Sequence, residues 1–285
     1  AQKFIKESKK EQDAHYKMSI ILPVNHVSPD LYVVQIQKEI AKMSEHVMEM
    51  MDFISESFNR TSDKFDDLIQ KINEKEEFID EMNHEIINFL QKCSRLPNAN
   101  RKDRDNFAGM ISVVQNLEDL SDEFCSMMHT IYKFKKQEDN TAYEKQNEEL
   151  TAYFDQVHIF YEQTCTYIAL GLSSIDKVLL SDVEDQIDKT KKELKKASRK
   201  RIENGSNVKN ELNYMDLVRK IEKAGDCVFG VIRAIQPTIE SDLSNNDAEK
   251  DLLKVQNVIV NKKSHKVFAS GNEVQLAAKE YDLLV

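Results

Sequence analysis

Two stretches of this chain carry the same acidic signature on the same helical pattern. The later one, Leu217 to Phe229, reads L-V-R-K-I-E-K-A-G-D-C-V-F. Around it Leu212, Met215, Val218, Ile221, Gly225, Phe229 and Ile232 recur at three or four residues, the spacing of one face of an amphipathic helix. Glu222 and Asp226 sit four apart, so both carboxylates fall on one flank of that helix. Like charges at this spacing repel by roughly 0.2–0.5 kcal/mol. A bound cation would reverse that sign. The earlier stretch, Ser112 to Cys125, reads S-V-V-Q-N-L-E-D-L-S-D-E-F-C, with Leu117, Glu118 and Asp122 in the places of Ile221, Glu222 and Asp226. A second motif recurs as well. Ile79, Asp80, Glu85 and Ile86 (I-D-x4-E-I) match Ile187, Asp188, Glu193 and Leu194 (I-D-x4-E-L). In each half this motif comes first and the E-x3-D helix follows. A repeat of this kind requires one supersecondary unit to be built twice, which narrows the fold more than any local propensity.

An I-D-x4-E helix followed by an (I/L)-E-x-x-(G/S)-D helix, in two tandem copies, resembles the PhoU family of phosphate-uptake regulators. The resemblance covers about Leu31 to Ile235. Pro29–Met43, P-D-L-Y-V-V-Q-I-Q-K-E-I-A-K-M, looks like the start of the PhoU-like domain that follows the membrane part of bacterial sodium/phosphate cotransporters. The resemblance implies an all-α fold of two tandem antiparallel three-helix bundles. It implies a regulatory domain that acts through protein contacts and is not an enzyme. Its partner would be the membrane transport part of the same polypeptide or another phosphate transporter, and a homodimer is compatible with it. The localisation implied is cytoplasmic, tethered to the inner membrane.

In that family, acidic residues of the two motifs line each bundle and can hold multinuclear metal clusters. Carried over here, Glu118 and Asp122 would serve the first repeat, and Glu222 and Asp226 the second. Each I-D-x4-E helix would add one more carboxylate. Five residues along a helix is a rotation of about 140°, so both acids of the motif cannot face one cation. Glu85 and Glu193 are preferred, because each precedes an apolar residue at the edge of the core stripe; Asp80 and Asp188 rank behind them. Oxygen ligands suit Mg, Mn, Fe or Ca, and the resemblance also admits Zn. The family's E-R-x-G-D-H-x-x-N helix reads E-K-A-G-D-C-V-F-G here, with Lys223, Cys227 and Gly230 in the places of Arg, His and Asn. In the first repeat Glu123 takes the His place.

Composition agrees with a helical chain. Of 285 residues only six are Gly and four Pro, and none is Trp. Such scarcity of turn formers, with 32% charged residues, describes long helices. The net charge of −10 argues against a nucleic-acid or anionic-membrane surface as the main partner. Cys93, Cys125, Cys165 and Cys227 are isolated, with no C-x-x-C spacing, and read as small buried hydrophobes and not as a zinc site or disulfide framework. No apolar run approaches the ~18 residues of a membrane-spanning helix. The chain opens on Ala1 and reads as cut from a longer protein.

The expected divisions are a linker over 1–28, repeat one over 29–136, a junction over 137–148, repeat two over 149–237, a linker over 238–254 and a tail over 255–285. Within the first of these, Ser19–Val24 reads as a short strand or extended link. Ile36, Ile40, Met43, Val47, Met50, Ile54 and Phe58 form the core stripe of helix one. Phe65, Leu68, Ile72, Ile79, Met82, Ile86 and Leu90 form that of helix two, and helix three runs from about Asp105 to Phe134. Leu150, Phe154, Val157, Tyr161, Ile168, Leu172, Ile175 and Leu179 mark helix four. Ser181 and Glu184 read as a capping box for helix five, Gly205 as its C-terminal glycine, and Pro237 as the stop of helix six. The tail switches to β-like runs at Val258–Val260, Lys266–Ala269 and Glu273–Leu276, with Ser270-Gly271-Asn272 as a hairpin turn, and Ala278–Leu284 could open a helix. This short β-rich fragment resembles the opening of an OmpR-type winged-helix domain without its recognition helix or wing, so no DNA binding is inferred. Two rival readings stand: a metal-free structural or dimerising helical module, and a fragment of a DNA-binding response regulator.

Overall fold

The computed structural model describes residues 15–18, 29–59, 65–136, 143–169, 177–243, 252–255, 258–261, 266–269 and 272–274. Its helices are α1 (Pro29–Asn59), α2 (Asp66–Ser94), α3 (Arg101–Lys135), α4 (Tyr143–Ala169), α5 (Lys177–Glu203) and α6 (Val208–Leu243). The fold is an all-α bundle of these six helices; α1–α3 are called the first unit and α4–α6 the second, after the sequence repeat.

The stripes of the first two helices are buried as their spacing requires. Ile36, Ile40, Met43, Val47, Met50 and Ile54 are wholly inaccessible, as are Phe65, Leu68, Ile72, Ile79, Met82, Ile86 and Leu90. Each such side chain contributes about 1.5–3 kcal/mol by leaving water. The two units share one continuous core, because α6 packs more extensively on α3 than on either helix of its own unit. Helix α4 also packs on α1, where the Tyr161 hydroxyl donates to the Ser44 carbonyl at 3.0 Å. Lys135 of α3 and Asn147 of α4 both donate to the Phe58 carbonyl, at 2.7 and 3.1 Å, and so close the C-terminal end of α1.

The sharing of α6 among three neighbours corrects its expected stripe. Leu212 is 62% exposed, whereas Tyr214, Leu217, Ala224 and Val228, which lie off the expected stripe, are buried. A helix packed on α3, α4 and α5 buries more than one face, so a single stripe no longer describes it.

Several boundaries differ from the sequence reading, each for a local reason. Helix α3 starts at Arg101, since Asn100 and Asp103 form a capping box: the Asn100 side chain accepts from the Asp103 N–H, and Asp103 accepts from the Asn100 N–H. Helix α4 starts at Tyr143, inside the expected junction, and ends at Ala169. Leu172 and Ile175 lie outside the described residues, and Leu179 belongs to α5. Ser181 and Glu184 sit within α5, which begins at Lys177, so they are not its cap. Helix α6 continues through Pro237 to Leu243. Proline removes one ladder hydrogen bond and crowds the carbonyl four residues back, which a long helix can absorb as a kink.

Gly205 does close α5, at φ 90°. Its N–H donates to Ile202 at 3.0 Å and the Ser206 N–H to Arg201 at 2.9 Å, the paired bonds of a Schellman turn. The Asn207 side chain then accepts from the Lys209 N–H at 2.9 Å and caps α6.

Part of the expected N-terminal linker is fixed to the bundle. The Tyr16 hydroxyl donates to Glu39 at 2.7 Å, its N–H to Glu81 at 2.6 Å, and its ring stands edge-on to Phe78. Ser19–Val24 lies outside the described residues.

At the C-terminal end, β1 (Leu252–Val255), β2 (Val258–Asn261), β3 (Lys266–Ala269) and β4 (Asn272–Val274) form an antiparallel sheet in sequence order. β1 falls mostly within the expected linker. Asn272 pairs with Ala269 as a strand residue and is not part of the turn. Gln275, Leu276 and Ala278–Leu284 lie outside the described residues.

Candidate metal centre

The face that joins α2 to α3 carries an acidic group. On α2, Glu76 and Asp80 lie four residues apart, which places both on one flank. On α3, Glu118 and Asp122 do the same. Packing of α2 on α3 brings oxygens of Glu76, Asp80 and Asp122 within 4.8 Å of one another. Among the described residues, no lysine or arginine closes an ion pair on these three. The electrostatics record the crowding. The Glu118 carboxyl is pushed up to about 7, first by burial and then by the charges of Asp122, Asp119, Asp80 and Glu76. Burial and then Asp80, Asp122 and Glu77 raise Glu76; burial and then Asp80, Asp119 and Glu123 raise Asp122, with Lys223 partly offsetting the rise there.

Of the residues expected from sequence, the structure brings together Asp80, Asp122 and Glu118. Glu85, preferred over Asp80, is exposed five residues further along α2. Its charge acts instead on Tyr16. The preference followed the apolar neighbour of Glu85 in sequence, but the α2–α3 crossing selects the flank that carries Asp80. Glu76 was missed. Its signal was present, because Glu76 and Asp80 are themselves an E-x3-D pair, as are Glu184 and Asp188.

The second unit gathers the equivalent acids into one locale, but among the described residues no three of them bring oxygens within 4.8 Å of one another. Asp188 and Glu184 on α5 face Glu222 and Asp226 on α6. Burial raises Asp226 most, and Glu222, Asp188 and Glu184 add to the rise, so these four charges share one locale. Glu193 is exposed and lies one motif step beyond. Here, however, Lys191 ion-pairs with Glu222 and stands 3.8 Å from Asp188. Its position on α5 corresponds to Asn83 on α2, three residues after the motif aspartate in each case.

These donor sets answer differently to a divalent cation. The first offers carboxylate oxygens alone, half-buried or exposed. That is a fit for a hard cation. The second already contains a positive charge. Neither group has a thiolate to offer. Cys125 donates to Asn73 at 3.0 Å and is pushed up to about 11, first by burial; Cys227 is pushed up to about 12 for the same reason.

The position of the group in the chain coincides with what comparison finds. No curated protein matches the chain. A family model described as PhoU domain matches residues 40–131. That span runs from the middle of α1, through all of α2, to the end of the acidic face of α3. It contains Glu76, Asp80, Glu118 and Asp122, so the whole first acidic group lies within the matched span.

Proposed function

We propose that this chain is a non-catalytic regulatory domain of phosphate homeostasis, the PhoU-like part of a sodium-dependent phosphate transporter, and that its first unit holds a metal ion. A PhoU domain implies a regulatory role in phosphate homeostasis, and such domains are not catalytic. The transporter context rests on the Pro29–Met43 resemblance. No described helix is long and apolar enough to cross a membrane. In this reading the domain lies on the cytoplasmic side, tethered by the transport part of the same polypeptide or docked on another phosphate transporter, and a homodimer is compatible with it.

The observation that supports the metal reading is the convergence of Glu76, Asp80 and Asp122 with no cationic side chain among them. Those three would hold the ion, with Glu118 beside them. The ion, Fe, Mn, Mg, Ca or Zn in a divalent or trivalent state, would supply positive charge to an otherwise repulsive face. The protein's part is to fix α2 against α3 so that both E-x3-D flanks meet.

Protein purified without chelator tests the metal reading by elemental analysis and by melting with and without manganese. The parent is expected to carry metal and to melt higher with manganese, as mass action requires. Asp80→Asn with Asp122→Asn should lose both. A parent that carries no metal and ignores every divalent ion leaves the metal-free helical module as the better reading. Regulation is tested separately. Deleting residues 29–243 from the full-length gene product should alter phosphate uptake by the cell, and unchanged uptake overturns the regulatory reading.

A further inference from the structure

The two acidic groups are related by the repeat yet differ in their positive charge. Asp80 and Asp188 are equivalent, as are Asp122 and Asp226, and Glu118 and Glu222. Three residues beyond the motif aspartate stands Asn83 in one unit and Lys191 in the other. An ammonium offers three donors on a flexible stem and no acceptor. In the second unit it bridges the helices, pairing with Glu222 of α6 and lying 3.8 Å from Asp188 of α5. Lys191 and Glu222 are largely shielded, their side chains being 20% and 18% exposed. The ammonium thus occupies the space between the α5 and α6 carboxylates.

The surroundings agree. Tyr153 of α4 is wholly buried, its hydroxyl has no hydrogen-bond partner, and burial followed by the charges of Glu222, Asp188 and Asp226 pushes it upward. The negative field therefore reaches α4, and Lys191 is the cation placed against it. A tethered ammonium needs no binding step, and a second positive charge in the same space would meet its repulsion.

We propose that Lys191 is the resident cation of the second acidic group, taking the place between α5 and α6 that a metal ion would need, so that the second unit is closed to divalent ions. The family expectation of a metal cluster in each bundle therefore fails in the second.

The test removes the first group, so that it stands independently of whether that group binds metal. Asp80→Asn with Asp122→Asn is the background, and Lys191→Asn, the residue of the first unit, is added to it. Manganese is the probe, read by calorimetric stoichiometry and by melting temperature. The background is expected to bind no manganese and to melt at one temperature with or without it. Adding Lys191→Asn should lower the melting temperature in chelator, create one manganese site, and give a manganese-dependent rise of about 2–4 °C or more. Lys191→Arg on the same background should remain indifferent to manganese. Lys191→Gln replaces Lys191→Asn if the latter does not fold. The proposal is overturned if the background binds manganese as well as the Lys191→Asn protein does, or if losing the lysine creates no manganese site.

Discussion

The Lys223 ammonium donates to the Glu123 carboxylate at 2.7 Å, joining α6 of one repeat to α3 of the other. Asn116 meets Gly230 and Lys220 meets Ser126 along the same seam. These pairs step in opposite directions along the two helices, so α3 and α6 cross antiparallel. Asn116 and Lys220 occupy equivalent places in the repeat, as do Ser126 and Gly230. One pair of repeat positions therefore meets twice, as a pseudo-twofold axis through the seam requires. Glu123 is 4% exposed and Lys220 is 7% exposed, at 3.5 Å.

Glu123→Ala should destabilise the bundle by about 3–5 kcal/mol, because it leaves the buried Lys220 ammonium without a countercharge. Lys223→Met should cost no more than about 1 kcal/mol, since its side chain is 55% exposed and Glu123 keeps Lys220. Urea unfolding of the two variants checks the ranking; equal losses would show that the seam does not depend on the buried charge.

Glu211 is a second buried carboxylate, wholly inaccessible, which accepts from Ser198 at 2.6 Å, Arg201 at 2.8 Å and Gln146 at 2.8 Å. It ties α4, α5 and α6 together near the Schellman turn. Glu211→Ala should lower stability by about 3–5 kcal/mol, since Arg201 and two polar partners lose their acceptor. Arg201 retains Glu149 at 3.0 Å, so the variant should still fold, with a lower urea midpoint and an unchanged circular dichroism spectrum.

Gly225 and Gly230 occupy helical positions where alanine would favour the helix by about 1 kcal/mol. At Gly225 an added Cβ would stand 3.4 Å from Ile187, in ordinary contact, so Gly225→Ala should be neutral or mildly stabilising. Gly225→Leu should cost about 1–3 kcal/mol through overpacking. At Gly230 a Cβ would fall 1.9 Å from the Asn116 Oδ1, and the Asn116 amide is held by a 2.7 Å bond to Ser112. Gly230→Ala should therefore destabilise in the parent and be relieved in Asn116→Ala, a coupling that a double-mutant cycle measures.

The Glu118 carboxyl, pushed up to about 7 in the folded chain, governs a pH dependence in metal-free protein. A raised folded value means the native state holds the proton more tightly than the unfolded chain does. The associated stability is present below an ordinary glutamate value, near 4.3, and is lost as pH rises toward about 7. Glu118→Gln should flatten that part of the profile. Melting temperatures in chelator between those two pH values check it; an identical slope in parent and variant would show that Glu118 does not titrate there.

The sequence by itself determined the periodic burial of α1 and α2, the glycine end of α5 and the doubling of the E-x3-D motif. These follow from local rules: side chains three and four residues apart share a helix face, and Gly205 alone tolerates the positive φ that its turn requires. Crossing geometry was not legible in this way. Which of Asp80 and Glu85 meets Asp122 depends on how α2 rotates against α3, and a helix-face argument leaves both flanks open. The exposure of Leu212 and the burial of Tyr214 depend on α6 having three packed neighbours, which its own period cannot encode. The capping pattern at Ser181 was locally valid, yet α5 begins a turn earlier, and tertiary packing turns Glu184 into a member of the second acidic group. In sequence Lys191 is one lysine among several on α5; only the approach of Glu222 across the α5–α6 interface makes it the counter-ion of that group. Pairing between helices is long-range, and its energy lies in contacts that no stretch of sequence contains alone.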